Sequence, residues 1–249
     1  DEGPGYWSYT VGRGIRGILA LARHRGLPVS AMVTPRLARS LDFLLAMRSQ
    51  AGDGTAYLNV GDAHYAPKGM PSAVLLFFAA HLGRPDARAI WQERFGSAAG
   101  CPSDALSLLL YAPAPSLPPA APQPLLRTFR GMQRVLWRSG FAVGDTLLMF
   151  SGGPWGTGHD HLDKHHIILE AFGERMLLDR GIADYSDPIC AQMKTTWSHN
   201  TVTVEGRDQR FANRAPAASL EGVVEREEWA WLASEAARAA SASTKAASR

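Results

Sequence analysis

The residues best suited to chemistry lie in one nine-residue stretch, Gly158-His159-Asp160-His161-Leu162-Asp163-Lys164-His165-His166, which holds four of the eight histidines. The glycine-bearing run Ser151-Gly152-Gly153-Pro154 precedes it. Downstream stand Asp179, closing the apolar run Met176-Leu177-Leu178, and His199, which opens the strand-like Thr201-Val202-Thr203-Val204. Zinc takes imidazole nitrogen and carboxylate oxygen, and a His, Asp, His set supplies three protein ligands with room for a fourth. His161, Asp179 and His199 form the candidate zinc set. The competing reading is loop polarity or a hydrogen-bonded core network. His165 and His166 open an apolar run and read as structural.

Elements must position these side chains, and 249 residues with 46% hydrophobic content suffice for one large domain or two modest ones. A net charge of +3 with 20% charged residues attracts acidic ligands mildly, without the basic tract of a nucleic-acid binder. Cys101 and Cys190 are too few for a disulfide scaffold and lack metal-ligand spacing. Absence of an apolar run of about 18 residues argues against a membrane span.

In the N-terminal part, Pro4 after acidic Asp1 and Glu2 marks a helix start. Trp7, Val11, Ile15, Ile18 and Ala22 recur at helical spacing as a core face. Tyr6, Tyr9 and Arg13 recur on a second face, polar and aromatic as a cleft lining would be. Thr34 and Pro35 start another helix, Ser72 precedes an apolar one closed by Gly83, and 85–95 and 103–111 add two more. Short links suggest an array of helical hairpins. Between Gln50 and Gly69 runs a long polar loop in which Asn59, Asp62 and His64 are candidates for substrate contact.

Six prolines between Ala112 and Pro124 exclude helix and read as a stiff linker. Beyond them come short apolar runs at 134–138, 146–150, 166–172 and 175–179. Gly173-Glu174 makes the last two a hairpin, and together the runs predict an antiparallel sheet domain. The expected layout is a helical portion at 1–111, a linker at 112–130, a sheet domain at 131–235, and a low-complexity tail at 236–249, disordered or aberrant. The fold class is α+β.

Four stretches in this order resemble the heparinase II/III-like polysaccharide lyases, which include alginate and oligo-alginate lyases. They are Glu2-Gly3-Pro4-Gly5-Tyr6-Trp7-Ser8-Tyr9; Trp137-Arg138-Ser139-Gly140; Gly158-His159-Asp160-His161-Leu162-Asp163 with Leu177-Leu178-Asp179-Arg180-Gly181; and Ser198-His199-Asn200-Thr201-Val202-Thr203-Val204-Glu205-Gly206. The resemblance implies an incomplete (α/α) toroid followed by an antiparallel β-sandwich. It implies that Tyr6 is the catalytic tyrosine, that His159 faces the substrate cleft, and that His161, Asp179 and His199 hold zinc. The Asn-His pair such enzymes carry upstream of the tyrosine motif is not in the sequence, and a start at Asp1 inside that motif reads as an N-terminal truncation. A periplasmic or secreted protein is expected, with the signal-peptide region out of view.

A uronate lyase removes the C5 proton beside the sugar carboxylate and expels the C4 oxygen. It needs a base, an acid and a group that neutralises the carboxylate. Tyrosine, with an ordinary pKa near 10, is a ready acid, and histidine titrates near neutrality. Tyr6 is then the acid, and His159 the base or a charge-stabilising donor. Arg13 and Arg138 are candidates to pair with a substrate carboxylate, with Tyr9 beside Tyr6 as the rival acid. Zinc would be structural, because elimination needs no activated water. The substrate would be an acidic polysaccharide or oligosaccharide, with no nucleic-acid partner. Two other readings remain: a zinc-dependent hydrolase with Asp163 as its base, and a non-catalytic carbohydrate-binding chain. Tyr6 packed with Trp7 and Tyr9, a solvated Arg13, and Trp137 and Arg138 as interface packing are the plainer alternatives.

Overall fold

The computed structural model describes residues 3–64, 71–96, 105–110, 118–155, 158–210, 218–225 and 230–235. The 236–249 tail and Cys101 lie outside them. The chain forms two compact units, one from 5–45 and 69–123, the other from 1–4, 46–68 and 124–249. The division differs from a single cut at the proline-rich stretch, because the described residues 46–64 pack with the strands.

The first unit is helical: α1 (Gly3–Arg25), α2 (Pro35–Ala46), α3 (Ser72–Leu82), α4 (Pro85–Phe95) and α5 (Ala105–Leu110). On α1 the expected face holds, with Val11, Ile15 and Ala22 buried. Thr34 caps α2 by accepting the Leu37 N–H at 3.2 Å. Helix α3 is apolar all round and buries Val74 through Ala79, as a central helix must. Gly83 ends it in the left-handed region at φ 62°. Ser72 is not a cap: its buried hydroxyl accepts Trp91 Nε1–H at 2.9 Å and bonds the Ser107 hydroxyl at 3.0 Å. Arg84 ties α2 to α4 by donating to Asp42 and Asp86, each at 2.7 Å. Among the described residues no helix is long and apolar enough to cross a membrane.

The second unit is built on an antiparallel meander of β1 (Leu126–Phe129), β2 (Arg134–Arg138), β3 (Leu147–Ser151), β4 (His166–Ala171) and β5 (Glu174–Leu177), paired in chain order. A short helix, α6 (Ile189–Met193), follows, and then the hairpin of β6 (Ser219–Glu225) and β7 (Ala230–Glu235). The turn between β4 and β5 is Phe172-Gly173, with both φ positive at 57° and 80°, the backbone that suits the twist of a tight hairpin. Thr201–Val204 is not a strand. Val202 and Val204 are exposed, and the stretch makes only an isolated bridge from Val204 to Arg207.

Alternation puts every second residue of β2, β3 and β4 on one buried face, and the register aligns them in rows. The middle row, Leu136, Met149 and Ile168, is apolar. One end carries Arg138, Leu147 and Glu170; the other carries Arg134, Ser151 and His166. The first end grips residues 46–51. Arg138 Nη2 donates to the carbonyls of Ala46 and Arg48, both at 2.6 Å, and Glu170 accepts Gln50 N–H at 2.6 Å and Ser49 Oγ–H at 2.8 Å.

Arg138, expected to meet substrate, is therefore a packing residue, only 2% exposed. Burial lowers its pKa to about 10 against the pull of Glu170, while burial raises that of Glu170. Replacing Arg138 with methionine fills the volume but strands two carbonyls and removes the positive charge that faces buried Glu170. The expected cost is about 3 kcal/mol, read as a lower urea midpoint with unchanged slope; a shift below about 1 kcal/mol would reject this role.

Candidate functional site

The histidine-rich stretch is a turn leading into β4 and is pinned from several sides. Leu162 N–H donates to Lys194 O at 3.0 Å, Thr201 Oγ–H donates to Lys164 O at 2.6 Å, and Gln209 Oε1 accepts Lys164 N–H at 2.9 Å. The buried ammonium of Lys164 donates to both Asp160 oxygens at 3.0 and 3.1 Å and to Asp163 at 3.2 Å, above the Trp155 ring at 4.7 Å. Asp163, the base a hydrolase would need, is thus buried and engaged by a cation.

Two linked clusters emerge. In the first, donor atoms of His166, Asp179 and His199, all buried, lie within 4.8 Å of one another. Asp179 Oδ2 is 3.1 Å from His199 Nδ1 and 3.2 Å from His166 Nε2, and its Oδ1 accepts Gly181 N–H at 2.7 Å. Burial alone would raise the Asp179 pKa, but the two imidazoles hold it far below the usual carboxylate range. His199 moves the other way: burial works against its charge, and the Asp179 bond outweighs burial and raises its pKa.

Two members of the expected zinc set, Asp179 and His199, are thereby brought together, with His166 completing the compact trio. The ring of His161 lies 5.2 Å from that of His199, centroid to centroid.

The donor set fits zinc on one further observation. His161 Nδ1, His166 Nε2 and His199 Nε2 are buried with no aligned hydrogen bond among the described residues. Hydrogen-bond patterns separate their roles. His166 Nδ1 accepts Asn200 N–H at 3.0 Å, so its proton sits on Nε2 and faces Asp179. His161 Nε2 donates to Asp62 at 2.9 Å, leaving a lone pair on buried Nδ1, the form in which imidazole binds metal.

The second cluster centres on Asp62. His159, half-buried, donates from Nδ1 to Asp62 Oδ2 at 2.5 Å. Tyr185, 55% exposed, donates its hydroxyl to the same oxygen at 2.8 Å and lies 3.1 Å from His159 Nδ1. Lys194 Nζ reaches Asp62 Oδ1 at 2.7 Å. Burial would raise the Asp62 pKa, yet the bonds from Lys194, His161, His159 and Tyr185 lower it to about 2. Asp62 is itself buried, so it does not lie open to substrate as the loop reading expects.

Sequence reasoning missed the parts played by Asp62, Tyr185, Lys194 and His166. Asp62 carried only its place in a long loop as a signal, and His166 only its neighbours. Gly181 explains a fixed position: at φ 63° a Cβ would come 1.7 Å from Ala63 O, beside Asp62.

In the helical unit Tyr6 is half-buried on α1. Arg13 stacks its guanidinium over the Tyr9 ring at 4.9 Å, and both line an open cavity of about 300 Å³ with Arg16 and Ser72.

Residues 126–246 match the family model described as heparinase II/III-like, C-terminal. A mutant of heparan sulfate lyase HepC from Pedobacter heparinus superposes with a TM-score of 0.68 at 14% identity, covering 96% of this chain and 34% of that one. The unmutated HepC gives 0.63 at 15% identity, covering 91% and 32%. The heparinase III BT4657 gene product gives 0.51 at 15% identity, covering 82% and 29%. At these identities the likeness is one of fold. The chain spans about a third of the length of the HepC chains. No curated protein matches the sequence. Residues 126–246, the part of the helix-then-strand chain that carries the histidine cluster, are thus similar to the heparinase II/III-like C-terminal domain.

Proposed function

We propose that the chain is part of a polysaccharide lyase that cleaves a uronic-acid-containing glycan by β-elimination, exported to the periplasm or secreted. The helices are read as part of an (α/α) toroid and the sheets as a β-sandwich. The observation that carries the reading is His159: half-buried, oriented through Nδ1 by a buried carboxylate, with Tyr185 beside it, within the stretch that matches the heparinase II/III-like C-terminal model.

In the neutral ring so oriented, His159 Nε2 holds the lone pair. It takes the C5 proton, the released electron pair forms the C4–C5 double bond, and the C4–O bond breaks. Tyr6 gives its proton to the departing oxygen and is reset by solvent or a histidine. Arg13 offers its planar fork to the sugar carboxylate, with Tyr9 holding the guanidinium. Zinc would be held by His161, Asp179 and His199, with His166 orienting Asp179, and would supply a structural tie between the histidine-rich turn and the segments that follow.

The experiment incubates the protein, with its natural flanking sequence, with heparan sulfate, heparin and alginate in turn. Rising ultraviolet absorbance from the new double bond is the expected outcome; silence on every uronate polymer rejects the reading.

A further inference from the structure

One carboxylate serves both histidines. The Asp62 side chain is fully buried and accepts four donors: Lys194 and His161 on Oδ1 at 2.7 and 2.9 Å, and His159 and Tyr185 on Oδ2 at 2.5 and 2.8 Å. Four donors use the whole acceptor capacity of a carboxylate. Its backbone is fixed as well, since Ala63 O accepts Ile182 N–H at 2.9 Å and closely abuts Gly181.

We propose that Asp62 is a positioning residue that sets the tautomers of His161 and His159 together, presenting Nδ1 of the first as a metal ligand and Nε2 of the second as a proton acceptor. This rests on the roles given above to those two histidines. The argument is one of matching. An acceptor-only partner forces N–H onto the ring nitrogen that faces it, so the lone pair of each neutral imidazole must appear on the other nitrogen. His161 meets Asp62 through Nε2 and His159 meets it through Nδ1, so one oxygen pair directs two lone pairs to opposite ring positions. Lys194 balances the charge of Asp62, so neither imidazole need be charged to satisfy it. The Tyr185 hydroxyl donates to Asp62 and its oxygen lies 3.1 Å from His159 Nδ1, where it can accept the same N–H and reinforce the tautomer.

Two measurements on the full chain test this without a lyase assay. The first is nitrogen-15 NMR of the imidazoles in the zinc-free protein at mildly alkaline pH. It should show His161 protonated at Nε2 and His159 at Nδ1, and either ring in the opposite tautomer overturns the proposal. This needs no variant, so it stands even if a variant fails to fold. The second is zinc affinity by chelator competition. Asp62→Asn, whose amide must aim a donor at one donor pair, should weaken zinc by roughly 10- to 100-fold and mix the two tautomers. Wild-type affinity in a folded Asp62→Asn overturns the proposal, as does a wild-type protein that binds no zinc. Correct tautomers and zinc loss with no turnover of any uronate polymer would reject the lyase reading alone.

Discussion

Replacing Tyr6 with phenylalanine is expected to lower turnover on a uronate polymer by roughly 100- to 10,000-fold, the range for loss of a positioned general acid. The Michaelis constant should change little, since the phenol proton matters only as the leaving oxygen departs. The fold should survive. The substitution removes one hydroxyl from a half-buried ring, while the next residue, Trp7, keeps its ring 6.1 Å from Phe78 in the helical core. Steady-state kinetics alongside circular dichroism of the flanked protein is the check. A variant retaining more than about a tenth of wild-type turnover would remove Tyr6 from the acid role, and a matching loss in Tyr9→Phe would move that role one turn along α1.

The second large effect is expected at Asp179. In Asp179→Asn the bond from Gly181 N–H can persist, but the charge between His166 and His199 is gone. The sign of the pH dependence follows from the two shifts. A carboxylate held below its ordinary range stabilises the fold above about pH 4 and loses that contribution on acidification. A histidine raised above its ordinary value stabilises below about pH 6.5 and loses its contribution as pH rises through the folded value. The metal-free protein should therefore draw most from this pair between about pH 4 and 6.5. The variant should lose about 3 kcal/mol there, as for a buried ion pair stripped of one partner. Zinc displaces protons from imidazole, so it should raise the wild-type melting temperature more at mildly alkaline than at acidic pH, and the variant should show no such rise. Thermal scans with and without zinc at both pH values decide this; zinc stabilisation that persists in the variant would exclude Asp179 as a ligand.

Much of the scaffold was legible because its signals are local. Val11, Ile15 and Ala22 repeat at helical spacing, Thr34 stands where an N-cap must, and the apolar runs at 146–150 and 166–172 become β3 and β4, whose alternate residues form rows on the sheet. β1 was hidden by being four half-buried residues just past the prolines. Thr201–Val204 misled because β-branched alternation describes a chain that would suit a sheet, not one that has found a partner strand. Arg138 carried two readings, substrate contact and interface packing, and its burial on the inner face across from Leu147 favours packing. The site was half legible. The His159-Asp160-His161 spacing, Asp179 and His199 stand out by residue type, whereas Asp62 acquires its meaning only from partners brought by the fold.

The strap formed by residues 46–64 also bears on how the protein folds. Its anchors join residues far apart in the chain: Gln50 to Glu170 across 120 positions, Asp62 to His159 and His161 across 97 and 99, and Asp62 to Tyr185 across 123. Contacts of such separation require large loops to close before any bond repays the lost chain entropy, which makes them slow to form. The meander from β1 to β5, whose pairings are all between neighbours, can assemble first. In that order the histidine-rich turn would spend part of folding without its carboxylate, its imidazoles reaching their final orientation only when the strap docks.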